Sequence, residues 1–372
     1  METLLNRTFE KSGLSSIAEK VFAGERIDEA DALRLYESPD LNAVGLLANH
    51  VRERLNGNVT TYILNRYLNY SNVCILSCQF CAFYRRGGQE GAFELSVEEI
   101  VGKAKEAHAQ GLTEIHSVGG LHPKLPFSFY LEMIREIKKA CPGLRVKAFT
   151  AVEIRHLAER IAKKPIRETL QLLLEAGLDS LTGGGAEIFD PEIRDKICRG
   201  KEDAEEWLDV HRQWHRLGQQ STCTMLYGHL EEPRHRVDHL RRLRNLQDET
   251  NGFTALIPFA YEPENNKLSA SLRRVGGSVD LRNIAVARIY LDNIPHLTAY
   301  WVSMGMSIAQ IAQSYGADDL HGTIREELIF HMAGSKTPQE QTVARMEKAI
   351  REAGRVPAQR DTFYRVAAPA TA

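Results

Sequence analysis

A chain of 372 residues with 43% hydrophobic and 26% charged residues has the composition of a folded, core-forming protein, which excludes a disordered one. Its formal net charge of -2 gives no broad attraction to nucleic acid or to an anionic membrane, so small molecules are the expected partners. The opening residues lack the apolar run of a secretory leader, and no later apolar run has the length that crosses a bilayer, so a cytoplasmic protein is expected.

Residues 12–56 space apolar side chains helically, with Leu14, Ile17, Ala18 and Val21 followed by Leu33 and Leu35, and predict a helical cap within 1–58. From Thr60 the run TTYILNRYLNYSN is aromatic and β-branched and predicts a strand that leads straight into a cysteine loop. Short apolar runs then alternate with amphipathic stretches. They predict strands at 114–119, 145–150, 180–183, 221–227, 253–259, 297–302 and 319–323, and helices at 98–109, 129–140, 166–176, 205–217, 236–247, 281–291 and 308–315.

With the first strand, this makes eight βα units. The pattern fits an α/β fold of the TIM-type (β/α)8 barrel class, with a doubly wound open sheet as its competitor. The segments GGLHP, TAVE, GGGAE, YGHLEE and HGT all follow predicted strands, as they would around one barrel mouth. The barrel is placed at 59–336 and a C-terminal extension of one helix and an extended tail at 337–372. No linker or low-complexity stretch divides the chain, so one structural domain is expected.

Three of the six cysteines, Cys74, Cys78 and Cys81, stand in C-x3-C-x2-C spacing, whereas Cys141, Cys198 and Cys223 are scattered. In a reducing compartment such crowding favours a metal or cluster over disulfides. Three thiolates on one loop can hold three irons of a [4Fe-4S] cluster and leave the fourth iron open for a ligand. A structural zinc site would want a second cysteine pair, and a ferredoxin-type electron carrier a fourth cysteine. The three scattered cysteines read as buried thiols.

This loop resembles the signature of the radical S-adenosylmethionine (SAM) superfamily. The resemblance implies that Phe80, before the last cysteine, lies near the adenine of SAM. Ser117 to Gly120 resembles the Gly-rich segment that meets the SAM amino group, which implies Gly119 and Gly120 as contacts, although Leu121 replaces the usual acidic residue. Thr224 to Glu231 resembles the adenine-binding motif of the fifth strand, which implies Gly228 and Glu231, with Thr224 departing at the first glycine. Glu153 is a candidate for the ribose hydroxyls or, alternatively, for a helix N-terminus. Glu187 poses the same choice.

Residues 14–364 resemble the aminodeoxyfutalosine synthase branch of that superfamily, in segments such as CQFCAFYRR, SVGGLHPKLPFSFY, TMLYGHLEE and ADDLHGTIREELIFHMAG. Cyclic dehypoxanthinylfutalosine synthase and the FO synthase subunits are relatives that share several of these segments. The resemblance implies addition of the 5'-deoxyadenosyl radical to 3-[(1-carboxyvinyl)oxy]benzoate, then rearrangement and decarboxylation, to give 6-amino-6-deoxyfutalosine in menaquinone biosynthesis. SAM would be a co-substrate beside the [4Fe-4S] cluster. An external one-electron reductant such as flavodoxin or ferredoxin would be needed, with no nucleic acid or membrane partner and a monomer or homodimer as the assembly.

The two substrate carboxylates need hydrogen-bonding partners once out of water. His122, Tyr227, His229 and Thr323, at predicted strand ends, are the candidates for binding or proton transfer, with a structural role as the alternative for each. His211, His215, His235 and His239 lie at helical intervals among charged residues and read as solvated faces.

Overall fold

The computed structural model describes residues 2–268, 270 and 272–366. Nine strands are labelled β1 (Val59–Ile63), β2 (Asn65–Leu68), β3 (Glu114–Ser117), β4 (Arg145–Ala148), β5 (Ser221–Tyr227), β6 (Phe253–Ala260), β7 (His296–Leu297), β8 (Asp319–Gly322) and β9 (Val356–Gln359). All of their pairings are parallel.

β1 and β2 are one extended run, interrupted at Leu64. β2 pairs with β3 and β3 with β4, and single bridges from Lys147 to Ser180 and from Leu181 to Ser221 carry the sheet to β5. β5 pairs with β6 and β6 with β7, a bridge joins Thr298 to Asp319, and β8 returns to β1. The ring therefore closes. An open doubly wound sheet would leave two edges, and a closed ring with helices outside is the barrel solution to the same alternating pattern.

Helices over Val97–Ala109, Phe127–Ala140, Ile166–Ala176, Ala204–His215, Pro233–Thr250 and Gly277–Tyr290 alternate with the strands. Their starts follow from the sequence. Ser96 with Glu99 and Asp203 with Glu206 form reciprocal capping boxes, and Asp190 caps the short helix Pro191–Cys198 from in front of its proline.

Several predicted strands run too long: 145–150 ends at Ala148, and 180–183 is reduced to single bridges at Ser180 and Leu181. Residues 297–302 do not stay in the sheet: after Thr298 the chain turns into the short helix Trp301–Met304, whose Trp301 indole donates to Gly322 O at 3.0 Å. β3 ends at Ser117 because the next backbone groups are taken by side chains. Asn69 donates to Val118 O, and Gly119 N donates to Glu153 Oε1.

Helices Glu2–Ser12, Ser15–Ala23, Glu29–Glu37 and Leu41–Asn56 form the N-terminal cap. The last packs Val44, Leu47, Ala48 and Val51, spaced three and four apart, against the helix Gly277–Tyr290. At the other end of the chain the helix Val343–Glu352 leads into β9, which adds to β1. Arg360 then reaches into the barrel and pairs with the buried Asp319 at 2.6 Å, which also accepts from Thr61 and Thr298. The extended tail is thus a ninth strand and a plug.

The histidines at helical spacing correct the solvated-face reading. His211, His215 and His239 are buried, and only His235 keeps partial exposure. His211 and His215 lie on the same stripe as Trp207 and Trp214. They tolerate it because the Ser221 hydroxyl sits 2.8 Å from His211 Nδ1 and 2.8 Å from His215 Nε2. His239 stacks on Phe189 at 4.0 Å and donates to Thr224 O at 2.9 Å. Burial keeps these rings neutral, with His215 lowered to about 4 and His239 to about 3.

Candidate functional site

A cavity of ≈ 260 Å³ opens where the strands end, as it should in a parallel barrel. Its wall on one side is the loop after β2. Cys74, Cys78, Phe80 and Cys81 all line it. Backbone bonds fasten this loop to its neighbours: Cys74 N donates to Arg85 O, Ile75 N to Leu121 O and Gln79 N to Ile197 O, at 2.7–3.1 Å.

Gly119 and Gly120, after β3, line the same wall. A Cβ on Gly120 would sit 2.3 Å from Val73 O, and one on Gly119 would sit 2.4 Å from the Tyr70 ring. These positions are glycine because the Gly-rich segment lies flat against the cysteine loop, with Gly120 N donating to Ser71 O at 2.8 Å.

Glu153 locks this corner. Oε1 accepts from Tyr70 Oη at 2.7 Å and Gly119 N at 3.0 Å, and Oε2 accepts from Thr150 N at 2.8 Å and Thr150 Oγ1 at 2.7 Å. One carboxylate therefore ties together the segments after β2, β3 and β4, while also capping the helix Ala151–His156. Burial raises its pKa, and the four donors oppose that shift.

Next to the cysteines, Lys201 Nζ pairs with Glu187 Oε1 at 2.6 Å and stands 5.5 Å from the centre of the Phe80 ring. Burial raises the Cys78 thiol, and the Lys201 cation acts against it.

The thiol donors suit a cluster. Cys74, Cys78 and Cys81 come together on one wall of the cavity. Cys141 and Cys223 are buried away from the cavity. Cys198 is near enough to act electrostatically on Cys78, but it borders a neighbouring recess instead. The donors present at the wall are three cysteine thiols, the number whose thiolates would leave one iron of a cubane open.

The other candidates fall outside the cavity lining. His122 is held by neighbours: Lys124 N and Leu125 N donate to its Nδ1, and its Nε2 lies 2.7 Å from Glu94. Tyr227 Oη donates to Asp280 at 2.7 Å. His229 accepts from Leu230 N and donates to Leu226 O. Thr323 spans the interruption between β1 and β2, donating to Asn65 O and accepting from Asn65 N at 3.1 Å each. Gly228 has φ +86° and donates to Glu231, which is paired with Arg236 at 2.6 Å.

These placements follow from the alternation of a strand. On β5, Thr222, Thr224 and Leu226 line the cavity, whereas Tyr227 belongs to the opposite set. The same alternation puts His116 on β3 with Val118 just after it, and Ile257 and Phe259 on β6 with Tyr261 just after it, in the lining. Reading each predicted strand for its inward set would have found them. Lys201 carries no such signal, because it sits in a loop after the helix Pro191–Cys198.

Residues 68–243 match the radical SAM superfamily, and residues 250–371 match the CofH/MqnC C-terminal region. The chain is 48% identical to the aminodeoxyfutalosine synthase of Thermus thermophilus over 355 residues, 95% of each chain. It is 44% identical to that of Streptomyces coelicolor over 94% of this chain and 93% of the relative. Among solved structures, the FeFe-hydrogenase maturase HydG from Carboxydothermus hydrogenoformans has a TM-score of 0.75, at 18% identity and covering 98% of this chain and 85% of that one. That is a likeness of fold.

Proposed function

This chain belongs to the radical SAM superfamily, among the aminodeoxyfutalosine synthases, and from that premise we propose that its cavity joins the 5'-deoxyadenosyl group of SAM to 3-[(1-carboxyvinyl)oxy]benzoate. Rearrangement through the aryl ring and loss of the carboxyl group as carbon dioxide give 6-amino-6-deoxyfutalosine for menaquinone biosynthesis. The observation that carries this reading is a cavity with three thiols on one wall and aromatic and aliphatic side chains on the other.

When bound, a [4Fe-4S] cluster on Cys74, Cys78 and Cys81 supplies the electron that cleaves the SAM sulfonium. The chain's own residues do the rest. Phe80 stands where an adenine can pack, and Gly119 and Gly120 let the Gly-rich backbone lie against the cysteine loop at the cavity wall. Glu153 fixes that backbone in place. Gly228 and Glu231, with Arg236, shape the turn after β5 behind the adenine side.

His122, Tyr227, His229 and Thr323 act as positioning groups, each holding a strand end through the bonds described above. A carbon radical takes hydrogen from whatever is close. The cavity must therefore exclude water and hold the alkene at near-attack distance, and its apolar lining serves both needs.

No helix among the described residues is long and apolar enough to cross a membrane. We place the enzyme in the cytoplasm, served by an external one-electron reductant such as flavodoxin or ferredoxin, with no nucleic acid partner, as a monomer or homodimer. Cap 1–58, barrel 59–336 and extension 337–372 act as one structural domain. The test is anaerobic incubation of the reconstituted enzyme with SAM, a strong reductant and the enol ether. Mass spectrometry should find an adenosyl-containing product. Free 5'-deoxyadenosine with no adduct would instead indicate a hydrogen-abstracting relative.

A further inference from the structure

The charged groups that line the cavity already answer one another or their neighbours. Lys201 is paired with Glu187, Glu153 has four donors, Glu262 faces Arg274, and Glu327 accepts from His331. Three sheltered polar atoms of lining residues have no protein partner among the described residues. They are His116 Nδ1 on β3, Thr222 Oγ1 on β5 and His321 Nδ1 on β8. Thr222 is 1% and His321 2% exposed, so the unmatched atoms sit deep in the barrel. These strands are not neighbours in the ring, and the three side chains reach the cavity from different sides.

A buried polar atom without a partner costs about 1–3 kcal/mol. Three of them around one cavity mark a place where a ligand's polar group belongs. The backbone adds a second sign. His321 has φ +67°, a left-handed conformation that a non-glycine residue adopts at a cost of about 1–3 kcal/mol. It is held there by Asp319, whose Oδ1 accepts from His321 N at 2.8 Å.

A hydroxyl faces the other nitrogen of the ring. Tyr67 Oη lies 3.4 Å from His321 Nε2, and the Tyr300 ring stands edge to face with the imidazole at 5.1 Å. With Nε2 as acceptor, Nδ1 carries the proton and is a donor. Burial keeps both imidazoles neutral, with the Lys147 cation acting on each, and Arg360, itself paired with Asp319, acting on His321. Donors with positive charge behind them suit an anion. Beside them stand the rings of Phe259, Tyr300 and Phe330, edge to face with one another at 5.1–5.5 Å.

We propose that His321, Thr222 and His116 form the subsite for the ring carboxylate of an aryl substrate, with Phe259, Tyr300 and Phe330 packed against the ring. This is a specificity determinant for the reaction proposed above, and it rests on that reading. It places the benzoate end of the enol ether on the barrel floor and leaves the alkene facing the cysteine wall.

The test uses the reconstituted holoenzyme with SAM and two ligands, 3-[(1-carboxyvinyl)oxy]benzoate and the phenyl ether that lacks the ring carboxylate. Dissociation constants are measured without reductant, and kcat/KM for adduct formation with it. His321→Phe and Thr222→Val should each weaken the carboxylated ligand by about 10- to 100-fold, the size of a hydrogen bond to a charged group, and change the phenyl ether less than about 3-fold. Equal losses on both ligands, or none on either, would overturn the subsite while leaving the proposed function standing. If His321→Phe does not fold, the near-isosteric Thr222→Val decides alone. A wild-type enzyme that makes no adenosyl adduct from the carboxylated ether would overturn the function and the subsite together.

Discussion

On the side of the cavity built from the loops after β2, β3 and β4, polar groups answer one another: Glu153 takes four donors and Lys201 holds Glu187. On the floor built from β3, β5 and β8, His116, Thr222 and His321 each keep a polar atom without a protein partner. The difference teaches which part of the site is prebuilt and which waits for a ligand. A wall whose lining charges are paired holds its shape with nothing bound, as a cluster loop and a Gly-rich backbone require. A floor with unmatched polar atoms gains most when a ligand with complementary groups arrives.

The largest expected effect breaks the wall at its chemistry. Cys78→Ala should abolish iron retention and product formation while circular dichroism still reports the folded barrel, because Cys78 is one small side chain in a core carried by eight strands. Cys223→Ser, on β5 and away from the cavity, should keep its iron. A Cys78→Ala enzyme with full activity would refute the ligand assignment.

A smaller effect tests the wall's rigidity. Gly120→Ala puts a methyl group against Val73 O, so the cysteine loop must move, at a cost of about 1–3 kcal/mol. Iron content after reconstitution should fall and thermal stability with it, whereas unchanged iron would show that the loop is not held by this contact.

The buried imidazoles off the cavity sharpen the comparison from the other direction. His215 and His239 titrate lower in the fold than in the unfolded chain, so the unfolded state binds more protons below about pH 6.5 and acid destabilises the fold. Between pH 7 and pH 5 each should remove about 2 kcal/mol of stability, read by denaturant unfolding. A flat profile over that range would mean that these rings are solvated after all.

The barrel was legible in the sequence because buried parallel strands and amphipathic helices have different periods, and because Ser96, Thr150 and Asp203 mark helix starts with caps. The cysteine wall was legible because spacing within one loop is a local fact. The floor was not. His116, Thr222 and His321 are far apart in the chain and meet only through the ring's closure, and a histidine on a strand carries no sign of which way it points until the inward set of that strand is fixed.

His122 and His229 drew notice by lying in glycine-containing strand-end loops, yet their nitrogens serve the backbone around them. His211, His215 and His239 lay among charged residues, but Ser221 and Phe189 offered them partners from other elements that no local pattern records.

The most direct test of the whole account is electron paramagnetic resonance on the anaerobically reconstituted, reduced wild-type enzyme, with iron counted per chain and SAM then added. A three-cysteine wall predicts about four irons per chain and a cubane signal that changes when SAM binds the open iron. A signal indifferent to SAM, or a preparation that holds zinc in place of iron, would contradict it.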